Sequence, residues 1–348
     1  RYTWAEVKDQ SVRLALGLLK LGLARDDRIV VQLYNCTELY LLTVACQKAG
    51  IILVEIPSNF GEASLEPILR HVEAKAAVIP WRFRNSDFYS MFSEMKTRLP
   101  ALRQIIVTGD EVPEGAISFQ DLSSTVGTEH DLENLQKTTI PPYEISRVAT
   151  TSGSTGIPKL YEIIESPYML VGKNLAKRFA MTDKDTVGAF YSIMGGGLSI
   201  ISVTVTPMVG AKLVLLEHFS PEGFCKMVER ERVTIACLVP AQMARILDFP
   251  DLNKYDLTSL RLLANSTAIL PYDLGLRAEE KFKSPYVNTY GATDSGPMCS
   301  SSTQDSQEVR LRTVGRPYDG CLISILDEHG HPVPPGQIGD VTVQRNPY

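Results

Sequence analysis

Arg28-Ile-Val-Val-Gln-Leu33, a helical stretch over 38–48 and Gly50-Ile-Ile-Leu-Val-Glu-Ile-Pro57 read in succession as strand, helix, strand. Both strands are apolar almost without interruption, the pattern of a strand covered on both faces, and two such strands joined through a helix run parallel. Upstream, Thr3-Trp-Ala-Glu6 fits a capping box, Val7, Leu14, Leu18 and Leu21 fall at helical spacing, and Gly22 can end that helix. Downstream, a helix near 62–73 leads to the strand Ala76-Ala-Val-Ile79, and another helix to Gln104-Ile-Ile-Val107. The stretch 1–142 therefore predicts a first α/β subdomain, closed by a loop over about 109–142 with room for one short element.

The same alternation resumes over 143–308. A helix over 167–179 is followed by the strands Val187-Gly-Ala-Phe-Tyr191, Lys212-Leu-Val-Leu-Leu216, Thr234-Ile-Ala-Cys-Leu-Val239, Leu260-Arg-Leu-Leu-Ala264 and Tyr286-Val-Asn-Thr289. Helical stretches separate them. Over 309–348 the pattern changes to short strands and turns: Cys321-Leu-Ile-Ser-Ile-Leu326, Asp327-Glu-His-Gly330 and Val341-Thr-Val343. The fold class predicted is α/β: two doubly wound, mostly parallel sheets packed together, plus a small antiparallel, β-barrel-like subdomain.

Composition narrows the function. The chain has 348 residues, 44% of them hydrophobic, with 35 basic against 40 acidic side chains and a net charge of -5. No basic stripe stands out, which argues against nucleic acid as a partner. The longest apolar runs are broken well short of a membrane span. The six cysteines form no Cys-x-x-Cys pair, which fits free thiols in a reducing cytoplasm, and the five histidines lack zinc-ligand spacing. Arg1 opens the chain at the approach to a helix and Tyr348 follows directly on a strand, so further residues are expected at both ends.

One stretch is unlike the rest: Thr150-Thr-Ser-Gly-Ser-Thr-Gly-Ile-Pro-Lys159. Its N–H and O–H groups can converge on an anion, its glycines permit the backbone to do so, and its lysine adds positive charge. It reads either as a loop holding the phosphates of a nucleotide or as a flexible Ser/Thr-rich surface loop. It is not a Walker A loop, because Pro158 precedes Lys159 and Leu160 follows it. Strand-like segments on both sides, Glu144-Ile-Ser-Arg-Val-Ala-Thr150 and Lys159-Leu-Tyr-Glu-Ile-Ile-Glu165, would pin it at its two ends.

Ligands of open α/β sheets bind beyond the carboxyl ends of strands. Three such ends carry polar or glycine-rich chemistry: Ser192-Ile-Met-Gly-Gly-Gly197, Asn265-Ser-Thr-Ala268 and Tyr290-Gly-Ala-Thr-Asp294. In the last, an aromatic ring can cover a nucleobase, a glycine allows close approach, and a hydroxyl and a carboxylate follow for a phosphate and its Mg²⁺. A polar turn around a buried tyrosine is the alternative.

Together, Thr151-Ser-Gly-Ser-Thr-Gly-Ile-Pro-Lys159 and Tyr290-Gly-Ala-Thr-Asp294 resemble the two best-known signatures of the adenylate-forming superfamily. Its members include acyl- and aryl-CoA ligases, luciferases and peptide-synthetase adenylation domains. The resemblance extends to Thr3-Trp-Ala-Glu6, Gly50-Ile-Ile-Leu-Val-Glu-Ile-Pro57, Val314-Gly-Arg-Pro317 and Pro335-Gly-Gln-Ile-Gly-Asp340, so it covers nearly the whole chain and matches the large N-terminal domain.

The resemblance implies ATP-dependent activation of a carboxylic acid as an acyl-adenylate, then transfer to a thiol. ATP, Mg²⁺ and coenzyme A are the implied cofactors. Thr151, Ser152, Gly153, Ser154, Thr155, Gly156 and Lys159 would hold the β- and γ-phosphates. Tyr290 would stack on adenine, with Asn265, Ser266 and Thr267 as the shelf opposite, and Asn288, Thr289 and Gly291 completing the nucleotide site. Thr293 would contact the α-phosphate and Asp294 would bind Mg²⁺; with Lys159 these are the implied catalytic residues. Ser192, Gly195, Gly196, Gly197 and Gly291 would line the acid pocket.

Four positions depart from the family pattern. Asp294 stands where Glu is usual, Leu160 replaces a common Gly, Ser192 falls near where many ligases place a gating His, and Asn265 replaces a usual Gly. The family's mobile C-terminal domain, with its catalytic Lys, and its ribose-binding Asp and hinge would lie beyond Tyr348, so this chain alone is expected to turn over poorly. Leu99-Pro-Ala-Leu-Arg-Gln-Ile-Ile-Val107 resembles aryl- and cyclic-acid ligases, which points to an aromatic or carbocyclic acid. Gly195-Gly-Gly197 would let a flat ring lie on backbone, or would simply begin a closely packed helix. CoA is the expected acceptor. A carrier-protein phosphopantetheine and a non-catalytic nucleotide-binding relative are the alternatives, and the sequence leaves the oligomeric state open.

Overall fold

The computed structural model describes residues 1–150, 159–195, 197, 199–292 and 296–345. It divides into two compact units, Arg1–Glu165 and Ser166–Tyr348.

The first unit opens with α1 (Trp4–Lys20), β1 (Arg28–Val31), α2 (Thr37–Ala49), β2 (Ile52–Glu55), α3 (Glu62–His71) and β3 (Ala76–Pro80). A short hairpin, β4 (Arg82–Phe83) and β5 (Ser86–Asp87), precedes α4 (Phe88–Lys96) and β6 (Gln104–Thr108). Then come β7 (Ile117–Ser118), α5 (Phe119–Ser123), α6 (Glu129–Thr138), β8 (Ile145–Thr150) and β9 (Leu160–Ile164). The capping box forms: Glu6 N–H donates to Thr3 Oγ1 at 3.2 Å and Thr3 N–H to Glu6 Oε2 at 2.6 Å. Gly50, at φ 78°, ends α2 in the left-handed conformation that turns the chain into β2.

The sheet order is β7-β6-β3-β1-β2-β8-β9, parallel except for the antiparallel β8–β9 pair. Val30, Val54, Ile79 and Val107 pack with Leu65, Ile68, Leu69, Phe92 and Met95 of α3 and α4. Each fully buried aliphatic or aromatic side chain of this kind contributes about 1.5–3 kcal/mol.

Two differences from the expected pattern have physical causes. The stretch over 109–142 holds β7, α5 and α6 instead of one short element. Each helix buries a single hydrophobic residue, Phe119 or Leu135, so neither has the apolar stripe that reveals a helix. Their starts are set by caps from Ser118 and Thr128. The strands flanking 151–158 belong to the first sheet, because β8 pairs with β2 (Leu53 opposite Arg147), and the first unit runs to Glu165 instead of 142.

The second unit contains α7 (Glu165–Arg178), which begins on the last residue of the first, β10 (Thr186–Ala189), a π-helix (Ile200–Val205), α8 (Thr206–Val209) and β11 (Lys212–Leu215). It continues with α9 (Pro221–Glu231), β12 (Ile235–Leu238), α10 (Pro240–Leu247), a short 3₁₀ turn (Leu252–Lys254), β13 (Leu262–Asn265), α11 (Tyr272–Phe282) and β14 (Tyr286–Ala292). It ends with β15 (Gly296–Ser300), α12 (Gln307–Arg312), β16 (Arg316–Pro317), β17 (Cys321–Leu326) and β18 (Asp340–Arg345).

Its sheet order is β11-β10-β12-β13-β14-β15-β16, parallel from β11 to β14 and antiparallel thereafter. Phe190, Ala236, Leu238 and Leu263 pack with Phe224, Val228, Met243, Ile246, Ala278 and Phe282 of α9, α10 and α11. The intervening strand residues Ile235, Cys237, Leu262 and Ala264 are buried too, so both faces are covered. The antiparallel part after Tyr318 is, among the described residues, the β17–β18 ribbon. Together these are the two mostly parallel sheets and the smaller antiparallel element that the sequence predicts.

Candidate active site

In the second sheet β10 pairs with both β11 and β12, so successive connections leave it in opposite directions. This is the topological switch point at which open α/β sheets form ligand crevices. Gln242 ties the two strand ends there: its Nε2 donates to Phe190 O at 2.6 Å and its Oε1 accepts from Val239 N–H at 3.0 Å.

The chain leaving β10 turns sharply. Ser192 is exposed and its Oγ accepts from Met194 N–H at 3.2 Å. Gly195 and Gly197 have φ of 82° and 71°, so both occupy the glycine-favouring region ahead of the π-helix and not within it. A Cβ on Gly197 would lie 3.4 Å from Ser266 Oγ and 3.9 Å from Thr267 Cγ2. The turn after β10 and the turn after β13 are thus neighbours. The π-helix places Ser202 Oγ 2.9 Å from Tyr191 Oη, and burial holds the Tyr191 phenol well above its usual pKa, so it stays neutral and can donate.

The shelf after β13 is built on two buried amides. Asn265 Nδ2 donates to Asn288 Oδ1 at 2.8 Å and to Ala268 O at 3.1 Å. Thr289 Oγ1 donates to Asn265 O at 3.0 Å, bonding the last residue of β13 to the middle of β14 across the sheet. Ser266 is buried, while Thr267, Ala268 and Ile269 are exposed, Ile269 at 92%. The strained position in this turn is Thr267, at φ 71°, two residues after the Asn265 that stands at a family glycine.

β14 runs three residues past its expected end and forms a hairpin with β15, with an irregularity between Tyr290 and Gly291. Tyr290 is 37% exposed, so it is not the buried tyrosine of a polar turn. A Cβ on Gly291 would come within 2.5 Å of Gly296 O and 2.7 Å of Pro297 Cα, so this hairpin needs a glycine.

Of the residues predicted for the site, Gly197, Ser266 and Thr267 come together, with Gly195 two residues before Gly197 in the same turn. Asn265, Asn288, Thr289, Tyr290 and Gly291 form the adjoining strand ends. Lys159 is exposed, one residue before β9 in the first unit. Thr151, Ser152, Gly153, Ser154, Thr155, Gly156, Gly196, Thr293 and Asp294 lie outside the described residues. Among the described residues no cluster of His, Cys, Asp or Glu could hold a metal ion, and no helix is long and apolar enough to cross a membrane. The amide pairing escaped sequence reasoning; its one signal was an asparagine near the end of each of two successive strands.

A family model for AMP-binding enzymes matches residues 1–346. The chain is 26% identical over 355 residues to 2-hydroxy-7-methoxy-5-methyl-1-naphthoate–CoA ligase of Streptomyces carzinostaticus, with 100% of this chain and 63% of that protein aligned. It is 26% identical over 352 residues to 2,3-dihydroxybenzoate-AMP ligase of Bacillus subtilis (strain 168), covering 100% of this chain and 62% of that protein. The chain thus spans less than two thirds of the length of these relatives. A solved structure of the anthranilate CoA ligase AuaEII in complex with anthranoyl-AMP superposes with a TM-score of 0.88 at 22% identity, over 98% of this chain and 64% of that one. The match along the sequence and the likeness of fold agree, and the chain belongs to the AMP-binding enzyme family.

Proposed function

We propose that this chain activates a carboxylic acid with ATP as an acyl-adenylate, which the whole protein passes to coenzyme A. The observation that carries this reading is the pairing of an exposed Tyr290 and an obligatory Gly291 with the Ser266–Thr267 turn at adjacent strand ends. An aromatic face, a backbone that can be closely approached and a polar shelf are what a stacked adenine requires.

In the reaction, a carboxylate oxygen attacks the α-phosphorus, the bond to the bridging oxygen breaks, and pyrophosphate leaves. A thiol sulfur then attacks the acyl carbonyl and AMP departs. The demand on the protein is in-line positioning and stabilisation of the charge developing on phosphorus. Lys159 and the N–H and O–H groups of 151–156 are the proposed donors to the β- and γ-phosphates, and Thr293 to the α-phosphate. Mg²⁺, held by Asp294 together with substrate oxygens, would supply charge neutralisation, in keeping with the oxygen-only, partly hydrated coordination it favours. Gly195, Gly197 and Gly291, with Ser192 and Gly196, would border the acid. The glycine turn over Ser266, and relatives named for naphthoate and dihydroxybenzoate, support an aromatic acid. The buried thiols of Cys46, Cys225, Cys237 and Cys299, none in a disulfide, support a reducing, cytoplasmic setting.

One relative is named for AMP ligation instead of CoA ligation, which favours a second reading in which the acyl-adenylate is delivered to a carrier protein. Incubating the protein with ATP, Mg²⁺, CoA and a panel of aryl, alicyclic and fatty acids, and identifying products by mass, separates the two. Acyl-CoA with AMP establishes the first. Adenylate that is consumed only by a carrier protein establishes the second. ATP binding with no product from any acid returns the chain to a nucleotide-binding role.

A further inference from the structure

Asn288 is 7% exposed and its side chain is already committed within the protein. Its Nδ2 donates to Arg310 O at 2.7 Å and Thr313 O at 3.2 Å, both at the carboxyl end of α12. Two carbonyl acceptors define which end of the amide is nitrogen, so Oδ1 faces Asn265 and accepts from its Nδ2. That in turn orients Asn265, whose carbonyl receives Thr289 Oγ1. The orientation of the shelf therefore depends on where α12 sits.

α12 is held by a charge. Arg310 Nη2 donates to both oxygens of Glu279 at 2.9 and 3.0 Å, and Arg310 Nε to Oε1 at 3.2 Å. The pair is nearly buried, with side-chain exposures of 12% and 8%. Glu279, on α11, also accepts from Tyr286 N–H at 2.7 Å and from Gln307 Nε2 at 2.7 Å. One carboxylate thus grips the first residue of β14, which carries Asn288, Thr289 and Tyr290, and the helix whose carbonyls orient Asn288. A bidentate guanidinium–carboxylate pair is the most directional link available for this.

We propose that Glu279 and Arg310 are positioning residues for the nucleotide shelf, acting through α12, Asn288 and Asn265 without touching the ligand. The inference rests on reading the shelf as an adenine site. Asn288, on this account, orients its neighbours and does not contact the base.

The test is steady-state kinetics of Arg310→Lys and Glu279→Gln in the full-length protein, with ATP and the acid each varied and tripolyphosphate added as a probe of phosphate binding. Tripolyphosphate reports the phosphate region alone. The KM for ATP should rise about tenfold, while kcat, the KM for the acid and tripolyphosphate inhibition stay within about twofold. Gln307→Ala, which removes one bond to Glu279 from the exposed side of α12, should give a smaller shift of the same kind and keeps the test open if the ion-pair variants misfold. Calorimetric ATP affinity of the same variants reads the proposal even where no acid yields product, so failure of the adenylation reading is recognised separately. Unchanged ATP affinity in folded variants, or an equal loss towards tripolyphosphate, overturns the proposal.

Discussion

Arg147 and Glu55 face each other across the first sheet, Arg147 Nη1 lying 3.1 Å from Glu55 Oε1, with both side chains at most 5% exposed. Arg147 Nε reaches Glu165 Oε1 at 2.9 Å, and Ser146 Oγ donates to the same oxygen at 2.8 Å. One buried cation thereby links β2, β8 and the residue that follows β9. It clasps the hairpin arms on either side of 151–158. Burial opposes charge on Arg147, but the two carboxylates outweigh it and hold the guanidinium above its usual pKa.

Removing that cation should leave two buried carboxylates without the guanidinium that balances their charge. Arg147→Met is expected to lose about 3–5 kcal/mol in urea unfolding, and the triple change with Glu55→Leu and Glu165→Leu to recover much of it. A loss below about 1 kcal/mol in the single variant would show that the clasp is not structural.

Burial also works against the Glu165 carboxylate, yet Arg147 and Ser146 hold its pKa below the ordinary value. A lowered carboxyl contributes stability that is fully present above the unfolded value, about 4.3, and is lost as pH falls through the folded one. The wild type should therefore lose stability below about pH 4 more steeply than Glu165→Gln. Parallel acid limbs in chemical denaturation would refute this.

Gly291→Ala sets a methyl against the Gly296 carbonyl and Pro297 Cα, both backbone and unable to swing aside. The β14–β15 hairpin must shift, and ATP affinity should fall by about tenfold or more. Titration calorimetry against ATP reads it directly.

Thr267 is β-branched at φ 71°, a backbone that favours glycine. Thr267→Gly should raise stability by about 1 kcal/mol, net of the greater freedom of the unfolded chain. Thr267→Val should not. Thermal unfolding of the two variants distinguishes relief of strain from loss of the hydroxyl.

Asp294→Ala should reduce Mg²⁺-dependent pyrophosphate release by about 10²–10³, and Asp294→Glu should retain it. A rate in Asp294→Ala near that of the wild type at every Mg²⁺ concentration would remove the residue from the metal site.

Much of the fold was legible because its strands are continuous apolar runs and several of its helices carry caps or apolar stripes. Thr3–Glu6 and Gly50 mark their termini locally, within a turn of chain. The helices over 119–138 were not legible, since a helix burying one side chain leaves no period to detect. The extension of β14 to Ala292 was hidden for a related reason: Tyr290, Gly291 and Ala292 are exposed, and a strand held by its neighbour's hydrogen bonds needs no apolar face.

The candidate site divides in the same way. Residue types at strand ends (hydroxyls, glycines, an aromatic) are local facts, and the sequence alone determined which stretches could meet a nucleotide. Only the tertiary structure decided that Asn288 is spent on Arg310 O and Thr313 O, that Glu279 grips both β14 and α12, and that a lone arginine in β8 answers a lone glutamate in β2. These partners are separated by 7 to 92 residues along the chain. Hydrogen bonds and ion pairs act over about 3 Å, so which polar groups satisfy one another is a consequence of packing and not of local sequence.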